Sequence, residues 1–301
     1  MSFPPLHILP PLHPSTHTHT LVLLHGRGST GPEFAEELLD LTGRTSSPSS
    51  SSSLASPLKF RGHVPTFHLV FPSAPTRYSS VFDESFPAWF DVESLTDLER
   101  KKGDQVRGLA ECVSYLRVVV EEEVRLLGGR RERVWVAGMS MGMAVGLWTV
   151  LGLGEGRGVG GFMGMCGWLP FAGDIEGCAR GAGAKGDDDA VVRASRFIQE
   201  KVGLDDGTMQ QTDGLTEARS RSRSLLSTPI LLLHGTDDAF VDIALGREAA
   251  RVLRRIGFNV ESKEYSGAEN EGHWVKEPEG FDDMVAFITK HALTPTTAAS
   301  E

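Results

Sequence analysis

Cysteine is scarce in this chain and odd in number: Cys112, Cys166 and Cys178 are the three, with no metal-ligand spacing among them. This excludes a disulfide framework and points to buried free thiols in a reducing compartment. Cationic side chains are outnumbered, 30 Lys and Arg against 40 Asp and Glu, for a formal charge of −10. Such a balance speaks against nucleic acid as a partner, since phosphate binders need a cationic surface. No apolar run approaches the ~20 residues of a membrane span. The opening MSFPPLHILPPLHPSTHTHT lacks the basic stretch and apolar core of a secretory signal. Position 2 is Ser instead of Gly, and the ending TPTTAASE carries no prenylation motif, so lipid anchoring by either route is not expected. A cytoplasmic protein without stable membrane insertion is the expectation.

What remains is ordinary globular composition, 40% hydrophobic and 23% charged over 301 residues, enough for a full core. The Pro- and His-rich residues 1–19 read as a flexible tail. His13, His17 and His19 have no carboxylate or cysteine partner nearby in sequence, so no metal site is expected there. Residues 20–292 read as the folded domain and 293–301 as a C-terminal tail. Within the domain, the Ser-rich stretch 44–58 reads as a surface loop, and the polar, charge-blocked stretch 177–228 as an insertion at the surface, with one amphipathic patch, AVVRASRFIQEKVG.

The apolar runs TLVLLHG, TFHLVFP, RVWVAG, GGFMGMCGWLP and PILLLHG have the unbroken hydrophobicity of strands buried on both faces, and NVESKEYSG supplies a sixth strand. Helical patterns alternate with them. GPEFAEELLDL has Pro and acidic residues at its start. Residues 104–127 carry Val106, Leu109, Val113, Leu116, Val120, Val124 and Leu127 in steps of three and four. SMGMAVGLWTVL and residues 243–257 and 279–291 complete the set. Strand–helix alternation implies right-handed crossovers and a mostly parallel sheet with helices on both faces. The G-x-G fragments of GLGLGEGRGVGG follow a helix, which is the wrong order for a dinucleotide-binding turn.

Gly138-Met139-Ser140-Met141-Gly142 fits G-x-S-x-G, a weak signal in a chain with 34 glycines. Its setting strengthens it. A nucleophile elbow follows a buried strand, opens a helix, and needs residues without bulk two before and two after the serine. RVWVAG, the two glycines and MAVGLWTV meet each requirement. A serine hydroxyl also needs a base and a group that orients the base, and in this architecture they follow as acid and then histidine. Asp237, Asp238 and Asp242 lie on the loop after PILLLHG, and His273 lies on the loop after NVESKEYSG. Spacing does not separate the three acids. His25 and His234 compete for the base role, but each precedes a glycine at a strand end, and His234 comes before the acid. The oxyanion of acyl transfer calls for two backbone N–H groups, here from Met141 and from Arg27 in the glycine-rich loop HGRGST.

Together the blocks LVLLHGRGS, FPSAPTR, PAWFD, GMSMGMAVGLW, MCGWLP, PILLLHGTDDAFV and GHWV resemble the phospholipase/carboxylesterase family of α/β-hydrolases, which includes acyl-protein thioesterases and lysophospholipases. The resemblance implies an α/β-hydrolase fold and hydrolysis of carboxylic esters or thioesters of apolar acyl groups through an acyl-enzyme, without metal or organic cofactor. It implies Ser140 as nucleophile, His273 as base and Asp238 as acid, and it puts Trp89, Phe90 and Asp91 near the acyl groove; Trp168 is expected among the apolar side chains around the site, with Met139 and Met141. A packed loop anchor is the competing role for the Trp89 triplet. The substrate implied is a small ester or an acylated protein. Met141 and Ser29 depart from the family pattern, which has Gln and Asp there; backbone donors are untouched, but the surroundings of the nucleophile change. Short or aromatic esters of small metabolites are therefore an alternative, and a non-catalytic binding module is a second.

Overall fold

Strands that are apolar on both faces need cover on both faces, and the sheet of this protein is built that way. The computed structural model describes residues 2–13, 16–43, 59–179, 187–204 and 224–293. Seven strands, β1 (His7–Leu9), β2 (His19–Leu24), β3 (Phe67–Phe71), β6 (Val134–Met139), β7 (Gly161–Met165), β8 (Ile230–Gly235) and β9 (Val260–Tyr265), form one sheet in the order β1-β3-β2-β6-β7-β8-β9. All neighbours pair in parallel except β1 with β3. A separate hairpin, β4 (Thr76–Ser79) and β5 (Glu84–Pro87), stands outside the sheet.

One face is covered by α1 (Gly31–Asp40) and α8 (Glu279–Ile288), whose Phe34, Leu38, Phe281 and Met284 pack on Leu21, Leu23, Trp135 and Met163. A capping box between Thr30 and Glu33 starts α1 where the chain leaves β2. The other face carries α3 (Lys102–Leu126), α4 (Met141–Gly152), α5 (Ala172–Ala179), α6 (Asp187–Lys201) and α7 (Ile243–Arg255). In α3 the predicted stripe is the buried one: Leu109, Val113, Leu116, Val120 and Val124 lie in the core while Val118 is exposed. Every residue of α4 is buried, so this helix needs neighbours on all sides. The short α2 (Phe60–His63) precedes β3.

Two expectations are corrected. Part of the segment read as a flexible tail belongs to the fold: His7, Ile8 and Leu9 pair antiparallel with Phe71, Val70 and Leu69, and Phe3 stacks on Tyr115 at 3.8 Å between ring centroids. The short antiparallel edge strand escapes periodicity because prolines flank it. The stretch 177–228 is not mere surface decoration either. Its helix α6 buries Val191, Ala194 and Ile198 against α4. Ser195 Oγ donates to Leu151 O at 2.7 Å and Gln199 Nε2 to Gly152 O at 3.3 Å, satisfying carbonyls at the open C-terminal end of α4. Residues 44–58 and 205–223, and the C-terminal tail beyond residue 293, lie outside the described residues. Among the described residues, no helix is long and apolar enough to cross a membrane.

Candidate active site

The chain leaves β2 for one side of the sheet and resumes at β6 on the other, so the loops after these adjacent parallel strands flank a crevice at their C-terminal ends. Ser140 closes β6 and opens α4 with φ 54° and ψ −120°, a conformation that non-glycine residues rarely adopt. Its N–H donates to Met165 O on β7 at 2.7 Å. The flanking glycines are sterically required. A Cβ on Gly138 would lie 2.3 Å from Gly142 O, and one on Gly142 would lie 2.2 Å from Leu24 O. The tight packing of β6, α4 and the end of β2 is what drives the serine into its turn.

The facing loop is held by groups that do not enter the crevice. The buried His25 donates Nδ1–H to Gly26 O at 2.6 Å and accepts the Ala74 N–H on Nε2 at 2.9 Å. Burial pushes its pKa down to about 4, so the ring is neutral, as the acceptor role requires. Trp89 Nε1 donates to His25 O at 2.8 Å, and Gly28 N–H donates to Pro87 O at 2.8 Å. Gly26 is thereby brought against Ser140, with its Cβ position 3.5 Å from Ser140 Cβ, and Arg27 follows it. The Arg27 guanidinium lies over the Phe82 ring of the β4–β5 hairpin at 4.7 Å, turned toward that hairpin. Met141 is the first residue of α4, so helix geometry gives its N–H no acceptor within the helix.

The three candidate acids separate in space. Asp237 accepts the Gly267 N–H at 2.8 Å, and Asp242 caps α7 by accepting the Ala244 N–H at 2.8 Å. Asp238 alone meets the histidine: its Oδ2 accepts Nδ1–H of His273 at 2.7 Å. Its Oδ1 accepts the N–H groups of Phe240 and Val241 at 2.9 Å each. His234 Nε2 stands 3.3 Å from Oδ2 and 2.9 Å from Val241 O, so this second imidazole braces the carboxylate from behind. Burial pushes the Asp238 carboxyl up, but the donors from His234, His273 and Val241 outweigh it and hold the group well below the usual carboxylate range.

A cleft of about 450 Å³ contains Ser140, Met141, Arg27 and His273 together, with Phe34, Leu95, Met139, Trp168, Phe240 and Trp274 as apolar walls. Glu37, Asn270 and Glu271 are polar members of the same lining. Of the residues expected near the acyl group, Trp168 lines this cleft, and its buried Nε1–H has no partner among the described residues. Trp89 does not line it: fully buried, it is the anchor of the His25 loop. Phe90 and Asp91 line an adjoining cavity of about 300 Å³, and Phe90 reaches the first cleft only through edge-on contact with Trp168 at 6.1 Å. An indole that fills a packing site and one that lines a groove look alike in sequence. Sequence reading missed Phe240, whose ring centroid is 5.4 Å from that of His273, and Trp274, which packs edge-on against Phe34. Cys166 lies behind the histidine loop with Sγ 3.6 Å from Trp274 O; burial raises its thiol to about 12, which leaves no competing thiolate.

The sequence model of the phospholipase/carboxylesterase family matches residues 12–192. Acyl-protein thioesterase 1 of Gibberella zeae is 24% identical over 279 residues, 92% of each chain. Carboxylesterase SOBER1 of Arabidopsis thaliana is 26% identical over 260 residues, 86% of this chain and 85% of the relative. Among solved structures, acyl-protein thioesterase 2 of Zea mays superposes with a TM-score of 0.60 at 22% identity, covering 95% of this chain and 98% of that one. That likeness shows the fold, an α/β hydrolase.

Proposed function

Because the chain belongs to the phospholipase/carboxylesterase family, we propose that it is a serine hydrolase of carboxylic esters or thioesters, with Ser140 as nucleophile, His273 as base and Asp238 as the acid that orients the base. The observation that carries this reading is the pairing of His273 with a solvent-shielded carboxylate in the cleft that also contains the strained serine. His273 Nδ1 is committed to Asp238, which leaves Nε2 to take the Ser140 proton as Oγ attacks the acyl carbonyl. The same nitrogen then protonates the leaving alcohol or thiol. Water, activated by His273, cleaves the acyl-enzyme and regenerates the serine.

The Met141 N–H at the α4 N-terminus and the Arg27 N–H are the donors for the tetrahedral oxyanion, with the helix end adding favourable potential. The apolar lining supports an apolar acyl group, and the relatives named as thioesterases and carboxylesterases support both ester classes. Substrates are small-molecule or acylated-protein esters. A cytoplasmic site of action agrees with the free thiols Cys112, Cys166 and Cys178. Labelling by a fluorophosphonate, lost in Ser140→Ala, tests the nucleophile. Hydrolysis of p-nitrophenyl esters from acetyl to palmitoyl tests the acyl class: an optimum beyond acetyl is expected, and an optimum at acetyl removes the long-chain reading.

A further inference from the structure

The end of the sheet opposite the cleft holds a cluster that the hydrolase chemistry does not use. Thr20 and His68 pair in the parallel register of β2 and β3, so their side chains share the face that α3 covers. Glu123 reaches down from the last turn of α3, its side chain 4% exposed. Its Oε2 accepts Thr20 Oγ1–H at 2.9 Å and lies 3.1 Å from His68 Nδ1. His17, just ahead of β2, places Nε2 2.9 Å from Thr20 Oγ1, and its ring meets that of His68 edge-on at 5.0 Å. One ligand atom from each of His17, His68 and Glu123 falls within 4.8 Å of the others. From Thr20 to Leu24 the strand rises about 13 Å, and Ser140 lies beyond its far end, so this site is remote from it.

We infer that His17, His68 and Glu123 form a binding site for one zinc-type divalent cation, which fastens the N-terminal segment to β3 and α3. Two imidazoles and a carboxylate are a ligand set that Zn²⁺ takes, with the fourth position left to water or to the Thr20 hydroxyl. Zinc–ligand bonds of about 2.0–2.2 Å need these atoms to draw together. His17 supplies that adjustment, because it lies on the connection ahead of β2 and not within a paired strand. Charge points the same way: Glu123 is a buried carboxylate with two imidazoles on one side, and a cation would neutralise it. Arg130 is the opposing charge, close enough to act on His17, though its Nε–H is committed to Leu127 O at 2.7 Å.

The test is a calorimetric titration of metal-stripped full-length protein with Zn²⁺, together with melting curves with and without the ion. Wild type and Cys166→Ala are expected to bind one Zn²⁺ per chain and to melt higher in its presence. His17→Ala and His68→Ala are expected to bind at least about tenfold more weakly and to lose the zinc-dependent rise in Tm. Because His68 lies within a strand, His17→Ala decides the matter should the other variant fail to fold. Co²⁺ loaded in place of Zn²⁺ should give ligand-field bands without thiolate charge transfer. No binding to the wild type overturns the site, as does unchanged binding in His17→Ala. Binding lost in Cys166→Ala also overturns it, since the cation would then sit on the Cys166, Asp238 and His273 group instead.

Discussion

His273 and Asp238 come from loops after different strands, yet Nδ1 and Oδ2 meet at 2.7 Å around a carboxylate whose side chain has no exposed surface. Two backbone N–H groups hold the other oxygen of that carboxylate and a second histidine approaches the same Oδ2, so it is oriented before any substrate arrives. The arrangement presents one tautomer of His273 to the cleft.

Asp238→Asn keeps the shape but offers an N–H where the carboxylate accepts one, favouring the wrong tautomer of His273. The expected loss in kcat is on the order of 10³- to 10⁴-fold on a p-nitrophenyl ester. Asp237→Asn should stay near wild type, because that side chain serves the Gly267 N–H. Asp242→Ala should also turn over normally while losing about 1 kcal/mol of stability as a helix cap. Comparable losses at all three positions would contradict the assignment.

Gly142→Ala forces a Cβ to within 2.2 Å of Leu24 O, where backbone has nowhere to go. Loss of activity is expected together with a destabilisation of at least about 1–3 kcal/mol, read from urea midpoints. Gly103→Ala is the control. It lies in the first turn of α3 with nothing within 4 Å of the added methyl, and should be neutral or gain up to ~1 kcal/mol.

Trp89 and Trp168 should separate kinetically. Trp89→Phe removes the indole donor to His25 O while leaving the cleft lining unchanged, so kcat should fall with little change in preferred acyl length. Trp168→Ala enlarges the cleft itself and should shift the chain-length profile and KM. A chain-length shift in Trp89→Phe would mean that the indole contacts substrate.

The buried His25 gives a signed pH dependence. Its pKa is lowered from 6.5 when unfolded to about 4 when folded, so between those values the unfolded chain binds more protons. Stability should therefore decline as pH falls from 6.5 toward 4, with the His25 contribution fully present only above 6.5. In His25→Gln that part of the slope should vanish. Urea midpoints across the range measure it, and equal slopes in both proteins would refute the account.

Much of this protein could be read before any coordinate was known. Unbroken apolar runs identify β2, β3, β6, β7 and β8, because strands covered on both faces have no polar face to show. Spacing of three and four identifies α3, and Gly138, Ser140 and Gly142 identify the elbow, because the turn itself leaves no room for a side chain at Gly138, while the need for Gly142 comes from Leu24 on the neighbouring strand. The family blocks bring Ser140 and His273 into one expectation. What local pattern cannot contain is the meeting of distant surfaces. Asp237, Asp238 and Asp242 are alike in type and spacing, so in sequence Asp238 rests on the family resemblance alone, and it is the packing of the loops after β8 and β9 that brings it to His273. Trp89 and Trp168 differ only in which neighbours enclose them. The N-terminal strand and α6 owe their place to edges and helix faces elsewhere in the chain that need cover. His17, His68 and Glu123 lie far apart in sequence and become neighbours only once β2, β3 and α3 are side by side. Tertiary structure decides these points because proximity between remote segments is a property of the packed core, not of any stretch of chain.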